Sequence, residues 1–217
     1  MKFLLTSAGL QNDELAHALE ELVGKPLCET SILFVITAGN TGSDDKRWLI
    51  KNLDQLDQYN FLSIDIIDFA GLPESIYQPH FEKADVICFG GGDERYLAQA
   101  TQNISSYLVP LLKSKVYMGI SAGSMILGSL LSVSVNERLF PEDGFASIES
   151  EGLSILPITF IPHLNSEYFA NLRRPLLESL KDSFIQTTYV VDDETALKID
   201  GDRIEVVGTG DYIVFSK

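Results

Sequence analysis

The chain has 217 residues, of which 45% are hydrophobic and 22% charged, which is enough for one large domain over 1–217 with a full core. Its net charge of -15, from 16 basic and 31 acidic residues, argues against a nucleic-acid binder and against a surface that attracts anionic membranes. The two cysteines, Cys28 and Cys88, lack metal-ligand spacing and form no disulfide framework, so both are expected to be reduced and structural in a cytoplasmic protein. The apolar run in "MKFLLTSAG" is too short for a signal peptide, and no stretch is long enough to span a bilayer.

Short apolar runs alternate with amphipathic stretches. "KFLLTS" (2–7) reads as a strand. "DELAHALEELVG" (13–24) reads as a helix, with Asn12 as its N-cap and Gly24 as its stop. Strand "SILFVIT" (31–37), helix "DDKRWLIKNLDQL" (44–56) and strand "FLSIDIIDF" (61–69) follow. A loop and short helix lead to strand "DVICFGG" (85–91), then to helical segments at 94–102 and 106–114. "KVYMGI" (115–120) is a fifth strand, and "AGSMILGSLL" starts a helix. "PITFIPH" (157–163) is a strand ending at a histidine, and 166–182 reads as a helix despite Pro175. "TTYVVDD", "TALKIDG", "RIEVVG" and "YIVFS" suggest an antiparallel meander. Strands that are apolar on both faces and separated by helices predict an α/β three-layer sandwich, mostly parallel and flavodoxin-like, with antiparallel C-terminal strands. Ligands then bind beyond the carboxyl ends of the parallel strands.

Two glycine-rich turns fall at that edge. "GISAG" (119–123) has the G-x-S-x-G spacing of a nucleophile elbow, in which small residues on either side let the chain turn sharply and expose Ser121. The following helix start would offer the Ala122 N–H to a developing oxyanion. A phosphate loop is disfavoured, because no Lys-Ser/Thr pair follows the glycines, and "GGGDER" (90–95) has arginine where a dinucleotide motif needs glycine. "FGGGD" instead offers a second oxyanion donor, Gly91, with Gly90 beside it.

A serine nucleophile needs a base, and the chain has three histidines. His17 and His80 read as solvated surface residues. His163 ends a strand at the same sheet edge as Ser121 and is the expected base. Candidates for the acid that orients it are Glu142 and Asp143 in "PEDG", Asn136 and Glu137 in "VNER", and Asp192, Asp193 and Glu194 in "VVDDETAL". Of the last three, Glu194 precedes an apolar run and is expected to point inward.

"FLLTSAG", "FGGGD", "GISAGS", "PH" and "DDETAL", in this order, resemble the family of alpha-aspartyl dipeptidase (dipeptidase E) and cyanophycinase. The resemblance covers nearly the whole chain. It implies a class I glutamine-amidotransferase-like fold, Ser121 as nucleophile, His163 as base, an oxyanion hole from Gly90, Gly91 and Ala122, and no metal or organic cofactor. The family commonly has "GGGNT" where this chain has Asp93 and Glu94. Its aspartate about fifteen residues after the serine falls here on Asn136. Glu194 fits the family's late glutamate directly and is therefore the expected third member.

Cleavage of Asp-X dipeptides would need a cation for the aspartyl carboxylate, and Arg173 and Arg174 in "NLRRP" are the candidates. The expectation is a serine exopeptidase of dipeptidase type acting on short peptides with an N-terminal aspartate. Its rivals are a hydrolase of β-aspartyl linkages and a non-catalytic metabolite-binding protein. The expected partner is a short peptide, without nucleic acid or membrane, for a monomer or homodimer.

Overall fold

A computed structural model describes residues 1–43, 45–141 and 151–217. Its parallel strands are β1 (Lys2–Thr6), β2 (Ser31–Val35), β3 (Ser63–Ile67), β4 (Val86–Phe89) and β5 (Val116–Ile120). The helices between them are α1 (Asp13–Val23), α2 (Arg47–Gln58), α3 (Glu74–Lys83), α4 (Glu94–Asn103) and α5 (Ser105–Leu111). After β5 come α6 (Ala122–Met125), α7 (Val133–Leu139), β6 (Ile158–Ile161) and α8 (Arg174–Leu180). The chain continues through β7 (Thr187–Val191), β8 (Thr195–Asp200), β9 (Arg203–Gly208) and β10 (Tyr212–Phe215).

The main sheet has the order β3-β2-β4-β5-β1-β8-β9. Its first five strands run parallel, and β8 and β9 extend it in antiparallel register. Alternate residues of each parallel strand feed opposite faces, as the pleat requires. Leu4, Ile32, Phe34, Val86, Cys88 and Met118 pack with Leu15, Leu19 and Leu22 of α1. Phe3, Leu5, Leu33, Ile87, Phe89 and Tyr117 pack with Tyr77 and Phe81 of α3 and Leu97 of α4. Both faces are therefore covered, which is the three-layer sandwich expected from the apolar strands. Complete burial of Cys88 raises its thiol pKa. Cys28 is exposed.

Helix α1 starts and stops where its sequence dictates. The Leu15 N–H donates to Asn12 Oδ1 at 3.0 Å. Gly24 takes the left-handed conformation at φ 81°, and its N–H reaches Glu20 O at 2.7 Å. A β-carbon is strained at such an angle, which is why glycine ends the helix.

Three expectations need correction. The C-terminal strands do not form one meander. β7 leaves the main sheet and pairs in parallel with β6 and antiparallel with β10, giving a second sheet of order β10-β7-β6. Helix α6 lasts one turn, because the chain next threads against β6: a β-carbon on Gly128 would stand 2.0 Å from Ile158 O. The helix read over 166–182 begins only at Arg174, where Pro175 occupies the first turn. The fixed φ of proline suits that position and not a helix interior. Among the described residues no helix is long and apolar enough to cross a membrane.

Candidate active site

The β5–α6 turn puts Ser121 at the carboxyl edge of the main sheet. Its backbone is forced to φ 51° and ψ -111°, an unusual state for a residue with a side chain. Both flanking glycines are sterically required. A β-carbon on Gly119 would stand 2.6 Å from Ser124 N, and one on Gly123 would stand 2.0 Å from Phe89 O. The Ser121 N–H donates to Thr6 O at 3.1 Å, and Ser121 O accepts from the N–H groups of Ser124 and Met125. The turn is thus tied to β1 on one side and to α6 on the other.

His163 follows β6 and also has a positive φ, 67°. Its Nε2 lies 3.0 Å from Ser121 Oγ. Its Nδ1 lies 2.7 Å from Asp193 Oδ1. An ionised carboxylate only accepts, so the proton sits on Nδ1 and leaves Nε2 to accept from the serine hydroxyl. The Phe169 ring stacks on the imidazole at 4.7 Å between centroids. Burial disfavours the charged form of Asp193, but the hydrogen bond and charge of His163 and the bond from Ser7 outweigh it and hold its pKa below the ordinary value.

The acid beside His163 is therefore Asp193, which corrects the expectation of Glu194. Adjacent residues leaving a turn cannot both face the imidazole. The carboxylate of Glu194 instead accepts from Thr209 Oγ at 2.8 Å on the exposed side of the β7–β8 turn. Asp192 braces the same turn, accepting from Glu194 N–H and Asp211 N–H. Asn136 is buried and Glu137 exposed on α7. Glu142 and Asp143 lie outside the described residues. His17 pairs with Glu20 and Glu21 at the surface, and His80 pairs with Asp65 at 2.6 Å.

The sequence reading overlooked Ser7, the first residue after β1. It is fully buried. Its hydroxyl donates to Asp193 Oδ1 at 2.6 Å and accepts from the His163 backbone N–H at 2.8 Å. It also lies 3.1 Å from His163 Nδ1. The signal available was the polar pair Thr6-Ser7 ending an apolar strand at the edge where ligands bind.

Of the expected oxyanion donors, Gly90 is removed, because its N–H is spent on Val35 O at 2.9 Å. Gly91 and Ala122 both adjoin Ser121. A β-carbon on Gly91 would stand 3.4 Å from Ser121 Cβ, and Ala122 opens α6. The guanidinium of Arg173 donates to the carbonyls of Ser166, Phe169 and Leu172, locking the loop that carries Phe169. Arg174 is exposed and lines a surface hollow with Glu178, Lys181 and Asp182.

A serine, an imidazole and a carboxylate in relay at the carboxyl edge of a parallel sheet are an arrangement capable of nucleophilic hydrolysis. The sequence model of peptidase family S51 matches residues 3–207, so the chain belongs to that family. A curated relative, Peptidase E of Pasteurella multocida (strain Pm70), is 28% identical over 146 residues, which span 63% of this chain and 59% of that protein's length. Among solved structures, a putative Peptidase E protein from Listeria monocytogenes EGD-e superposes with a TM-score of 0.74 at 16% identity, covering 96% of this chain and 98% of that one. A peptidase from an acI-B1 Actinobacterium gives 0.69 at 20% identity, covering 99% and 90%. At these identities the two structures bear on the fold alone.

Proposed function

We propose that this protein is an exopeptidase of dipeptidase type that hydrolyses short peptides through Ser121, His163 and Asp193, with an N-terminal aspartate as the preferred first residue. Ser121 Oγ attacks the scissile carbonyl carbon while His163 Nε2 takes its proton. The carbonyl oxygen becomes an oxyanion held by the N–H groups of Gly91 and Ala122. The C–N bond then breaks, and the leaving amine takes the proton from His163. Water, deprotonated by the same nitrogen, attacks the acyl-serine; the bond from Ser121 Oγ to the acyl carbon breaks, Oγ takes the proton back from His163, and the acid is released. Asp193 keeps the imidazole in the required tautomer and stabilises its charged form, and Ser7 holds Asp193.

The observation that carries this reading is the relay of 3.0 Å from Ser121 Oγ to His163 Nε2 and 2.7 Å from His163 Nδ1 to Asp193. A metabolite-binding protein has no use for that alignment. The aspartyl preference rests on the family resemblance.

A fluorophosphonate probe tests the chemistry. The native protein is expected to label and Ser121→Ala is not; equal labelling, or none in either, refutes the nucleophile. A panel of Asp-X, Glu-X and Ala-X dipeptides tests the substrate, and equal cleavage of Ala-X and Asp-X refutes the aspartyl preference.

A further inference from the structure

We propose that Trp48, with Lys46 beside it, forms the wall of the subsite for the residue that supplies the scissile carbonyl. This inference rests on the peptidase reading. Trp48 is the chain's single tryptophan. It lies in the first turn of α2 and is only half-buried. Its indole covers two glycines at the sheet edge. A β-carbon on Gly39 would stand 3.0 Å from Trp48 Cη2, and one on Gly91 would stand 3.7 Å from Trp48 Cζ3. The same position on Gly91 is 3.4 Å from Ser121 Cβ. The ring thus stands one residue away from the nucleophile, on the far side of an oxyanion donor.

The strand order fixes which half of a substrate it meets. Along the carboxyl edge, Gly39 follows β2, Gly91 follows β4, Ser121 follows β5, and Ser7 follows β1, with Asp193 leading into β8. Trp48 and the His163–Asp193 pair therefore lie on opposite sides of Ser121. The leaving amine must sit against His163, which protonates it. The acyl side of the tetrahedral carbon then points the other way, across Gly91 toward the indole. Lys46 Nζ lies 5.7 Å from the centroid of that ring, so the wall combines a flat apolar face with an ammonium. That pairing suits a short side chain ending in a carboxylate: the methylene packs on the ring, and the carboxylate meets the ammonium. The cation offered to an acidic first residue is then the ammonium of Lys46, the N-cap residue of α2.

Because Trp48 is the only indole, its emission reports the subsite directly. Ser121→Ala protein, which cannot turn over, is titrated with Asp-Leu while calorimetry measures binding independently. A saturable change in emission that tracks the calorimetric curve is expected. Binding without an emission change overturns the inference. On the Ser121 background, Trp48→Leu is expected to lower kcat/KM for Asp-Leu about tenfold. Lys46→Met is expected to cut the preference for Asp-Leu over Ala-Leu about tenfold. An equal loss on both dipeptides in both variants would mean a structural role and would overturn the subsite. Fluorophosphonate labelling of the native protein separates the two claims. No labelling sinks the peptidase reading, whereas labelling with dipeptide kinetics indifferent to Trp48 and Lys46 sinks only the subsite.

Discussion

The two halves of the site are built by different means. The Ser121 half is local: one strand, one turn and one short helix, with Gly119 and Gly123 placed where any β-carbon would strike backbone. The His163 half is assembled from distance. His163 comes from the second sheet, Asp193 from the crossing between the sheets and Ser7 from the first strand, and three hydrogen bonds join residues more than 150 positions apart in the chain or 30 apart across it. The first half is held by sterics that tolerate no side chain. The second is held by polar bonds, each replaceable in principle and each reporting its own contribution. Perturbing the first should break the fold, and perturbing the second should break the chemistry in a folded protein.

The largest expected effect on that contrast comes from Asp193→Asn. An amide keeps the size of the side chain but can donate to Nδ1, which favours the wrong imidazole tautomer, so kcat should fall by about 10⁴-fold with the melting temperature little changed. Glu194→Gln provides the direct comparison, because its carboxylate is exposed and accepts from Thr209 rather than from His163. Steady-state kinetics of the two variants decide between neighbouring carboxylates, and a larger loss for the glutamate variant would overturn the assignment of Asp193.

Gly123→Ala probes the other half. With Phe89 O 2.0 Å from the new methyl, α6 must move away from β4. The expected cost is about 1–3 kcal/mol of folding stability, read as a lower denaturation midpoint. A variant that is fully stable but inactive would mean that the glycine serves the chemistry and not the turn.

The same contrast decides what could be read in the sequence. The parallel sandwich, the elbow and the histidine were legible because each has a one-dimensional signature: apolar runs of strand length, a serine between glycines, and a strand that ends in histidine. The acid was not. Asp193 and Glu194 are adjacent and alike in charge, and only the crossing from β7 to β8 decides which carboxylate turns toward His163. Nor was the second sheet legible, since β7 has the same β-branched character whether it extends the main sheet or leaves it. Nor could the sequence show that the Arg173 guanidinium is bonded to carbonyls of the preceding loop. Ser7 escaped for the opposite reason, being a small polar residue with no motif of its own.

Ser7→Ala should have a smaller effect than the Asp193 change, and a more informative one. Removing the hydroxyl deletes one bond to the carboxylate and leaves the His163 backbone N–H without its acceptor. A hydrogen bond to a charged group contributes about 1.5–3 kcal/mol, and the partial exposure of Asp193 discounts this, so kcat should fall about tenfold with KM little changed. The pH dependence separates positioning from packing. Asp193 is held below the ordinary carboxylate value, so the stabilisation from its ionised form is present above that value and is lost as pH falls through the lowered one. Without Ser7 one of the groups that lowers this pKa is gone, and the loss must begin at higher pH. The acid-side loss of folding stability should therefore begin at higher pH in Ser7→Ala than in the native protein, as read by denaturation midpoints across the acid range. A drop in activity with that stability profile unmoved would mean that Ser7 does not hold the Asp193 carboxylate.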